Sequence, residues 1–308
     1  MNSPKVTVVG SINMDFAVQT ERMPNQGETV LGSGFATYPG GKGANQAVAA
    51  ARLGAKTTMI GAVGQDIYGE QLIKNLDDNG ILTDYVKPVS DTETGTAHII
   101  LSERDNRIIV NSGANFSITK EMIQTYKDVL KNSDVILLQL EIPMEAVIEA
   151  AKIGRDAGVK VVLNPAPFQS LPKELLNLVD YLTPNEYESE ELMKQLEHPD
   201  SFKEKLITTK GKDGVVIYKN DHPDPLLIPA YRVEPVDTTG AGDSFNGAFA
   251  FQIGQGVPVE KACQFASAVA ALSITKQGAQ AGLPSITDVE GFLKEQEEMD
   301  YEKARHLE

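Results

Sequence analysis

The chain has 308 residues, of which 41% are apolar, and carries 28 basic against 43 acidic side chains for a net charge of −15. It is long enough for one large or two small domains with a substantial core. An acidic chain without a basic stripe argues against nucleic acid or anionic membrane as a partner, and no run of 18 apolar residues is present to span a bilayer. The single cysteine, Cys263, excludes an internal disulfide. The first residues enter a strand without the charged-then-apolar layout of a signal peptide. Both features fit a reducing cytosol.

In chain order, Lys5–Val9 is a short β-rich run ending at Gly10, and it predicts a buried strand. Asn13 and Asp15 follow its carboxyl end, where open α/β sheets bind ligands; an ordinary Asn/Asp turn is the other reading. Residues 16–38 read as short strands punctuated by Pro24, Gly27, Gly32 and Gly34. Pro39-Gly40-Gly41-Lys42-Gly43-Ala44-Asn45 then precedes an Ala-rich helix, Gln46–Leu53, closed by Gly54. This is not a P-loop, because no Ser or Thr follows Lys42 and the upstream glycine spacing is wrong. It does present backbone N–H groups, Lys42 and Asn45 to a polar ligand, or else is a solvated Lys on a glycine turn.

A strand at Thr57–Ile60 and a helix at Tyr68–Asn79 follow. Residues 84–112 interrupt with further β signal, notably His98–Ser102 and Arg107–Asn111. Ile99 and Leu101 mark one apolar face there and Ile100 the other, so both faces need cover. Alternation then resumes. The pattern predicts a helix over 119–131, a strand Val135–Leu140, a helix after Pro143 and a strand Lys160–Leu163. It continues with a strand Tyr181–Thr183, a helix over 185–196, and strands Leu206–Thr209 and Val215–Tyr218. Helices over 243–253, 259–276 and 287–297 complete it. Glu141, Asn164, Asn185 and Glu188 each stand at a strand end. One alone reads as a helix cap or a surface acid; their repetition on one sheet edge points to a site. Repeated βα units predict a doubly wound, mostly parallel sheet with helices on both faces. No interdomain linker is visible, so residues 1–308 read as one domain. A β-sheet lid, formed by about 15–38 and 85–112, is inserted in it.

The stretch around which this is organised is Asp237-Thr238-Thr239-Gly240-Ala241-Gly242-Asp243. It leads into a helical pattern at Phe245, Phe249, Ala250 and Ile253 closed by Gly254, so Gly240–Gly242 should form the first turn of a helix. Unpaired N–H groups and the helix dipole favour an anion there, and glycines admit it close to the backbone. An acid at Asp243 disfavours a phosphate unless it takes a proton from the attacking nucleophile. The competing reading is that Thr239 or Asp237 caps the helix and Asp243 stabilises its first turn. An aspartic-protease turn is disfavoured, since Thr239 separates Asp237-Thr238 from Gly240 and no second acid turn exists. A dehydrogenase is disfavoured by the missing dinucleotide fingerprint.

The motifs Gly40-Gly41-Lys42-Gly43-Ala44-Asn45 and Asp237–Asp243, together with Asn185-Glu186-Tyr187-Glu188 and Gly10-Ser11-Ile12-Asn13-Met14-Asp15, resemble the ribokinase family of carbohydrate kinases over about residues 4–297. The resemblance implies ATP-dependent phosphorylation of the 5-hydroxyl of D-ribose in the cytoplasm. It implies that Asn13, Asp15, Gly41, Lys42, Asn45, Glu141 and Asp243 bind the sugar. Asp243 would be the general base, with an anion hole from the N–H groups of Gly240, Ala241 and Gly242. ATP would lie over Thr209-Lys210-Gly211-Lys212-Asp213-Gly214 and near Asn185, Gly242 and Asp243. Ser267 would face the adenine, at a position where the family has a larger polar residue. Glu188 and Asn185 would stand in the outer shell of Mg²⁺. A monovalent cation, K⁺, would be held by Asp237 and Thr239 and by backbone around Ser273, Lys276, Gly278 and Gly282. The two apolar faces of the inserted strands are covered either by the main domain and a neighbouring loop, or by the ligand on one side and a partner subunit on the other; the latter reading predicts a homodimer joined through the lid strands. The alternatives are the same chemistry on deoxyribose, fructose or a nucleoside such as adenosine, and a non-catalytic nucleotide sensor. Asn13, Asp15 and Glu141 and the scarcity of aromatics near these motifs favour a small sugar over a nucleoside.

Overall fold

The computed structural model describes residues 3–102, 105–196, 198–219 and 224–305. The described strands are β1 (Lys5–Val9), β2 (Asn13–Thr20), β3 (Gly32–Gly40), β4 (Lys56–Gly64), β5 (Leu82–Val89), β6 (Gly95–Ser102), β7 (Asp105–Asn111), β8 (Val135–Leu138), β9 (Lys160–Leu163), β10 (Tyr181–Leu182), β11 (Ile207–Thr209), β12 (Val215–Ile217) and β13 (Leu226–Ile228). The helices are α1 (Lys42–Arg52), α2 (Ile67–Asp78), α3 (Lys120–Thr125), α4 (Lys127–Lys131), α5 (Met144–Ala157), α6 (Lys173–Leu178), α7 (Glu186–Gln195), α8 (Ala241–Gly254), α9 (Val259–Ser273) and α10 (Ile286–Arg305).

The central sheet has the order β10-β9-β8-β1-β4-β5, and every pairing in it is parallel. Its inner strands are runs of Val, Ile and Leu because both faces are covered. Val6 and Val8 pack into the layer that contains α1, α8 and α9. Their neighbour Val9 packs into the opposite layer, with α3, α4 and α5. Two isolated parallel bridges, Leu182 to Leu206 and Asn185 to Thr209, carry the sheet on to the antiparallel set β11-β12-β13. From β1 the chain first builds outward through β4 and β5, then reverses to β8, β9 and β10 on the other side. The carboxyl ends of β1 and β8 therefore flank a topological switch point, where such sheets open a crevice.

A second sheet, β3-β2-β6-β7, lies beyond those carboxyl ends. Its β2–β6 pairing is parallel and its two outer pairings are antiparallel. The predicted insert is thus four-stranded, and its second half begins later than residue 85. Leu82–Val89 is β5, an edge strand of the central sheet paired with β4. An edge strand exposes one side to water, so its half-polar pattern matches that of an inserted strand. Glu103 and Arg104 of the predicted insert lie outside the described residues, as do residues 1, 2 and 306–308 of the predicted domain.

Several element boundaries differ from expectation. Helix α1 starts at Lys42 rather than Gln46. Its first turn packs on the end of β1 so closely that a Cβ at Gly43 would stand 2.6 Å from the Ser11 nitrogen. The helix expected over 119–131 is broken at Tyr126. β8 ends at Leu138, α9 ends at Ser273 and α10 runs on to Arg305. Among the described residues no helix is long and apolar enough to cross a membrane.

Candidate active site

Gly240 precedes α8 in the left-handed conformation, φ 78°, which a residue with a Cβ adopts only under strain. That turn aims the N-terminus of α8 at the switch point. First-turn amides have no acceptor within their own helix. The Ala241 N–H leans to the Thr238 carbonyl at 3.3 Å. The space over Gly242 is open, since a Cβ there would meet nothing within 4 Å. Neither competing cap forms. Asp237 instead turns away from α8, and its Oδ1 and Oδ2 accept from the N–H groups of Thr239 and Gly278, each at 2.9 Å.

Asp243 is buried, with 8% exposure. Asn45 Nδ2 donates to its Oδ2 and Gln46 Nε2 to its Oδ1, both at 2.9 Å. Both donors come from α1, so the early and late glycine motifs meet on one carboxylate. Asn45 is held in turn by Gln280 Nε2 at 2.9 Å.

A second cluster surrounds the end of β1. Ser11 Oγ donates to Glu141 Oε2 at 2.5 Å, and the Lys42 N–H donates to the same oxygen at 3.1 Å. Asn13 Oδ1 accepts from Asn115 Nδ2 at 2.7 Å. Gly40 is required beside Asp15, because a Cβ there would fall 2.3 Å from Oδ2. Burial pushes the Asp15 carboxyl up to about 7, the negative charges of Glu141 and Asp243 add to the rise, and Lys42 acts against it. Burial alone would lower Lys42. The carboxylates of Asp243, Glu141, Glu188 and Asp15 outweigh it and hold the ammonium above its ordinary value.

Asn13, Asp15, Gly41, Lys42, Asn45, Glu141 and Asp243 line one cavity of about 750 Å³, together with Thr238, Thr239 and Gly240. Ala97, Ile99, Ile108 and Val110 of the small sheet form part of its wall. The cavity brings together all seven residues expected to bind the sugar. It also contains residues the sequence did not single out: Asn115, Gln169, Phe116 and Phe168. The two phenylalanines correct the expectation of an aromatic-poor site. They come from the 3-10 turn at Gly113–Ser117 and from the loop after β9, neither of which carries a recognisable motif.

Thr239 and Gly240 also line the cavity, whereas Asn185, Glu188, Thr209–Gly214 and Ser267 stand apart from it. Asn185 and Glu188 form a reciprocal capping box on α7, each backbone N–H donating to the other's side chain at 2.8 Å. Burial pushes the Glu188 carboxyl up. Asn185 bridges to Thr209, and Lys210 Nζ lies 3.4 Å from Glu186. The expected nucleotide strip is therefore continuous with the end of α7. Lys212 and Asp213 sit exposed in the 3-10 turn that closes on Gly214, and a Cβ at Gly214 would meet the Ile228 carbonyl at 2.0 Å. Ser267 is buried on α9, and its hydroxyl has no hydrogen-bond partner.

Around Asp237, the loop after α9 folds back on itself. Gly282 donates to the Gly278 carbonyl at 3.3 Å, and a Cβ at Gly282 would lie 2.2 Å from the Ser273 carbonyl. Lys276 shares this loop with its side chain exposed. Burial acts to raise the Asp237 carboxyl, but the N–H groups of Gly278 and Thr239 more than offset it and hold it below the usual range. Among the described residues, no cluster of three or more His, Cys, Asp or Glu side chains is arranged to hold a metal ion.

A buried acid at a helix N-terminus, facing a polar cavity under a small sheet, is the architecture of a sugar kinase. The model of the pfkB family of carbohydrate kinases matches residues 3–286, and the chain belongs to that family. Within it the similarity is to ribokinases. The ribokinase of Bacillus subtilis is 46% identical over 291 residues, covering 94% of this chain and 99% of the relative. The crystal structure of ribokinase from Thermotoga maritima superposes with a TM-score of 0.86 at 39% identity, covering 94% of this chain and 99% of that one. The structure of Arabidopsis thaliana ribokinase complexed with ribose and ATP superposes at 0.87 and 33% identity, covering 95% and 99%.

Proposed function

We propose that the protein is a kinase that transfers the γ-phosphoryl group of ATP to the 5-hydroxyl of D-ribose, giving D-ribose 5-phosphate and ADP. The observation that carries this reading is the single cavity in which Asp243, at the N-terminus of α8, faces the polar cluster of Asn13, Asp15, Lys42, Asn45 and Glu141. Fixed carboxylates, amides and an ammonium match the several hydroxyls of a small sugar. Asp243 takes the proton of the reacting hydroxyl. The N–H groups of the α8 first turn, over the open space at Gly242, stabilise charge on the transferring group.

The nucleotide lies along Thr209–Gly214 and the start of α7. The continuity of Asn185 with Thr209 supports this placement. The magnesium ion that accompanies ATP is held mainly by phosphate and water, with Asn185 and Glu188 in its outer shell. Asp237 and the carbonyls of Thr239, Ser273 and Gly278 offer the hard oxygen donors that a monovalent cation such as K⁺ takes, with Lys276 and Gly282 completing the loop. Such an ion supplies positive charge beside the anion hole.

We read residues 1–308 as one kinase domain whose small sheet is a lid. The register supports two faces on that sheet. Ala97, Ile99, Ile108 and Val110 face the cavity. Val18, Phe35 and Ile109 lie on the opposite side, the last two with 67% and 65% exposure. We assign that outer face to a second copy of the chain. Light scattering at micromolar concentration is expected to report a dimer, and a monomer would remove this assignment. The acidic chain has no basic stripe, which supports a cytoplasmic enzyme acting on small molecules.

Coupled ADP release tests the reading on ribose, 2-deoxyribose, fructose, adenosine and a blank without sugar, with and without potassium. The expected result is ribose-dependent turnover that rises with potassium, and loss of that rise in Asp237→Asn. Turnover on another member alone keeps the mechanism and changes the substrate. Turnover on none of them rejects the sugar-kinase reading.

A further inference from the structure

Two buried glutamines outside the residues assigned above converge on Asp243. Gln46 follows Asn45 on α1, and Gln139 follows β8; both have 0% exposure. Gln46 Nε2 donates to Asp243 Oδ1 at 2.9 Å and to Asn164 Oδ1 at 3.2 Å. Gln139 Nε2 donates to Gln46 Oε1 at 2.6 Å. The direction of this chain follows from chemistry. An ionised carboxylate only accepts, so Gln46 must present its NH₂ to Asp243. Its carbonyl then faces Gln139, which must present its own NH₂. That leaves Gln139 Oε1 as a buried acceptor without a partner, which stable cores rarely contain. Gly10 makes room for it, since a Cβ there would stand 2.0 Å from that oxygen.

We infer that Gln46 is a positioning residue for the general base, and that Gln139 locks it in the donating orientation. This rests on the reading of Asp243 as the base. A carboxylate free to rotate about its last bond spends time with neither oxygen aimed at the sugar hydroxyl. Asn45 fixes one oxygen and Gln46 the other, so the plane of the carboxylate is set before substrate arrives. Asn164 shares the same NH₂ and keeps Gln46 from swinging away.

The test compares Gln46→Met, Gln139→Met and Asp243→Asn in the full chain, by kcat and by KM for the sugar. Methionine keeps the volume and removes the amide. Gln46→Met is expected to lower kcat about 10-fold or more, with KM changed by less than about 3-fold. Gln139→Met should lower kcat by a smaller amount, again with KM little changed. If Gln46→Met fails to fold, Gln139→Met, which leaves the donor in place but unlocked, decides the matter by the same two readouts. A folded Gln46→Met with kcat within about twofold of the parent overturns the inference and leaves the base intact, provided Asp243→Asn is inactive. Normal turnover in Asp243→Asn removes the base, and this inference with it.

Discussion

Asp243→Asn is expected to lower kcat by about 10²–10⁴-fold, the range that one positioned proton acceptor contributes. Affinity for sugar and nucleotide should change little, because the polar cavity around residue 243 remains. The structure adds a second consequence. Both oxygens of Asp243 accept from amide NH₂ groups, of Asn45 and Gln46. An asparagine has one acceptor oxygen and turns its own NH₂ toward one of these donors. One buried hydrogen bond is lost and two donors are opposed, which costs about 1–3 kcal/mol of stability. Steady-state kinetics with equilibrium binding of sugar and nucleotide reads the first effect, and denaturant unfolding reads the second. A variant that binds normally and turns over within tenfold of the parent rejects Asp243 as the base.

Asp15→Asn is expected to make the protein more stable at pH 8 while weakening sugar binding by about 10²-fold or more, the loss that follows when a site's polar partner is removed. The physical reason is the crowding of acids over the cavity. In the folded chain burial and the charges of Glu141 and Asp243 raise the Asp15 carboxyl from 3.8 to about 7. Between those two values the folded chain holds a proton that the unfolded chain has released. Stability from this group therefore falls as pH rises through that window, and the full penalty is present above about pH 7. A neutral asparagine avoids it. The gain at pH 8 is on the order of 1–4 kcal/mol, visible as a rise in Tm of several degrees that disappears near pH 4. For the parent enzyme the same proton predicts that KM for the sugar rises as pH drops below about 7, because the protonated acid loses acceptor capacity. Equal melting temperatures of parent and variant at pH 8, or a pH-independent KM, count against this account. The conflict between stability and function at Asp15 is what a preorganised polar site produces.

Much of this molecule is readable from local pattern. The Val-rich run of β1, the alternation of strands and helices, and the two glycine motifs specify a doubly wound sheet with helices on both faces. They do so because burial on both faces and the 3.6-residue period leave their mark on neighbouring residues. The acid at the start of α8 is legible for the same reason: helix termini bind anions, and an acid there calls for an explanation. The lid is less legible. The edge strand β5 and the strands of the small sheet share one half-polar pattern, and only pairing with β4 separates them.

By itself the sequence determined which elements form and offered the candidate residues for the site, because propensity, period and capping act over a few neighbours. What the tertiary structure alone decided is which polar groups share a partner. Gln46 reaches Asp243 across 197 residues of sequence, Gln139 reaches Gln46 across 93, and Asn115 reaches Asn13 across 102. No local period marks those three amides, since a buried amide and a solvated one look alike in a chain. Only the packing of α1 against α8 and of β1 against β8 removes water from them, so that each can be satisfied only by a partner far away in sequence.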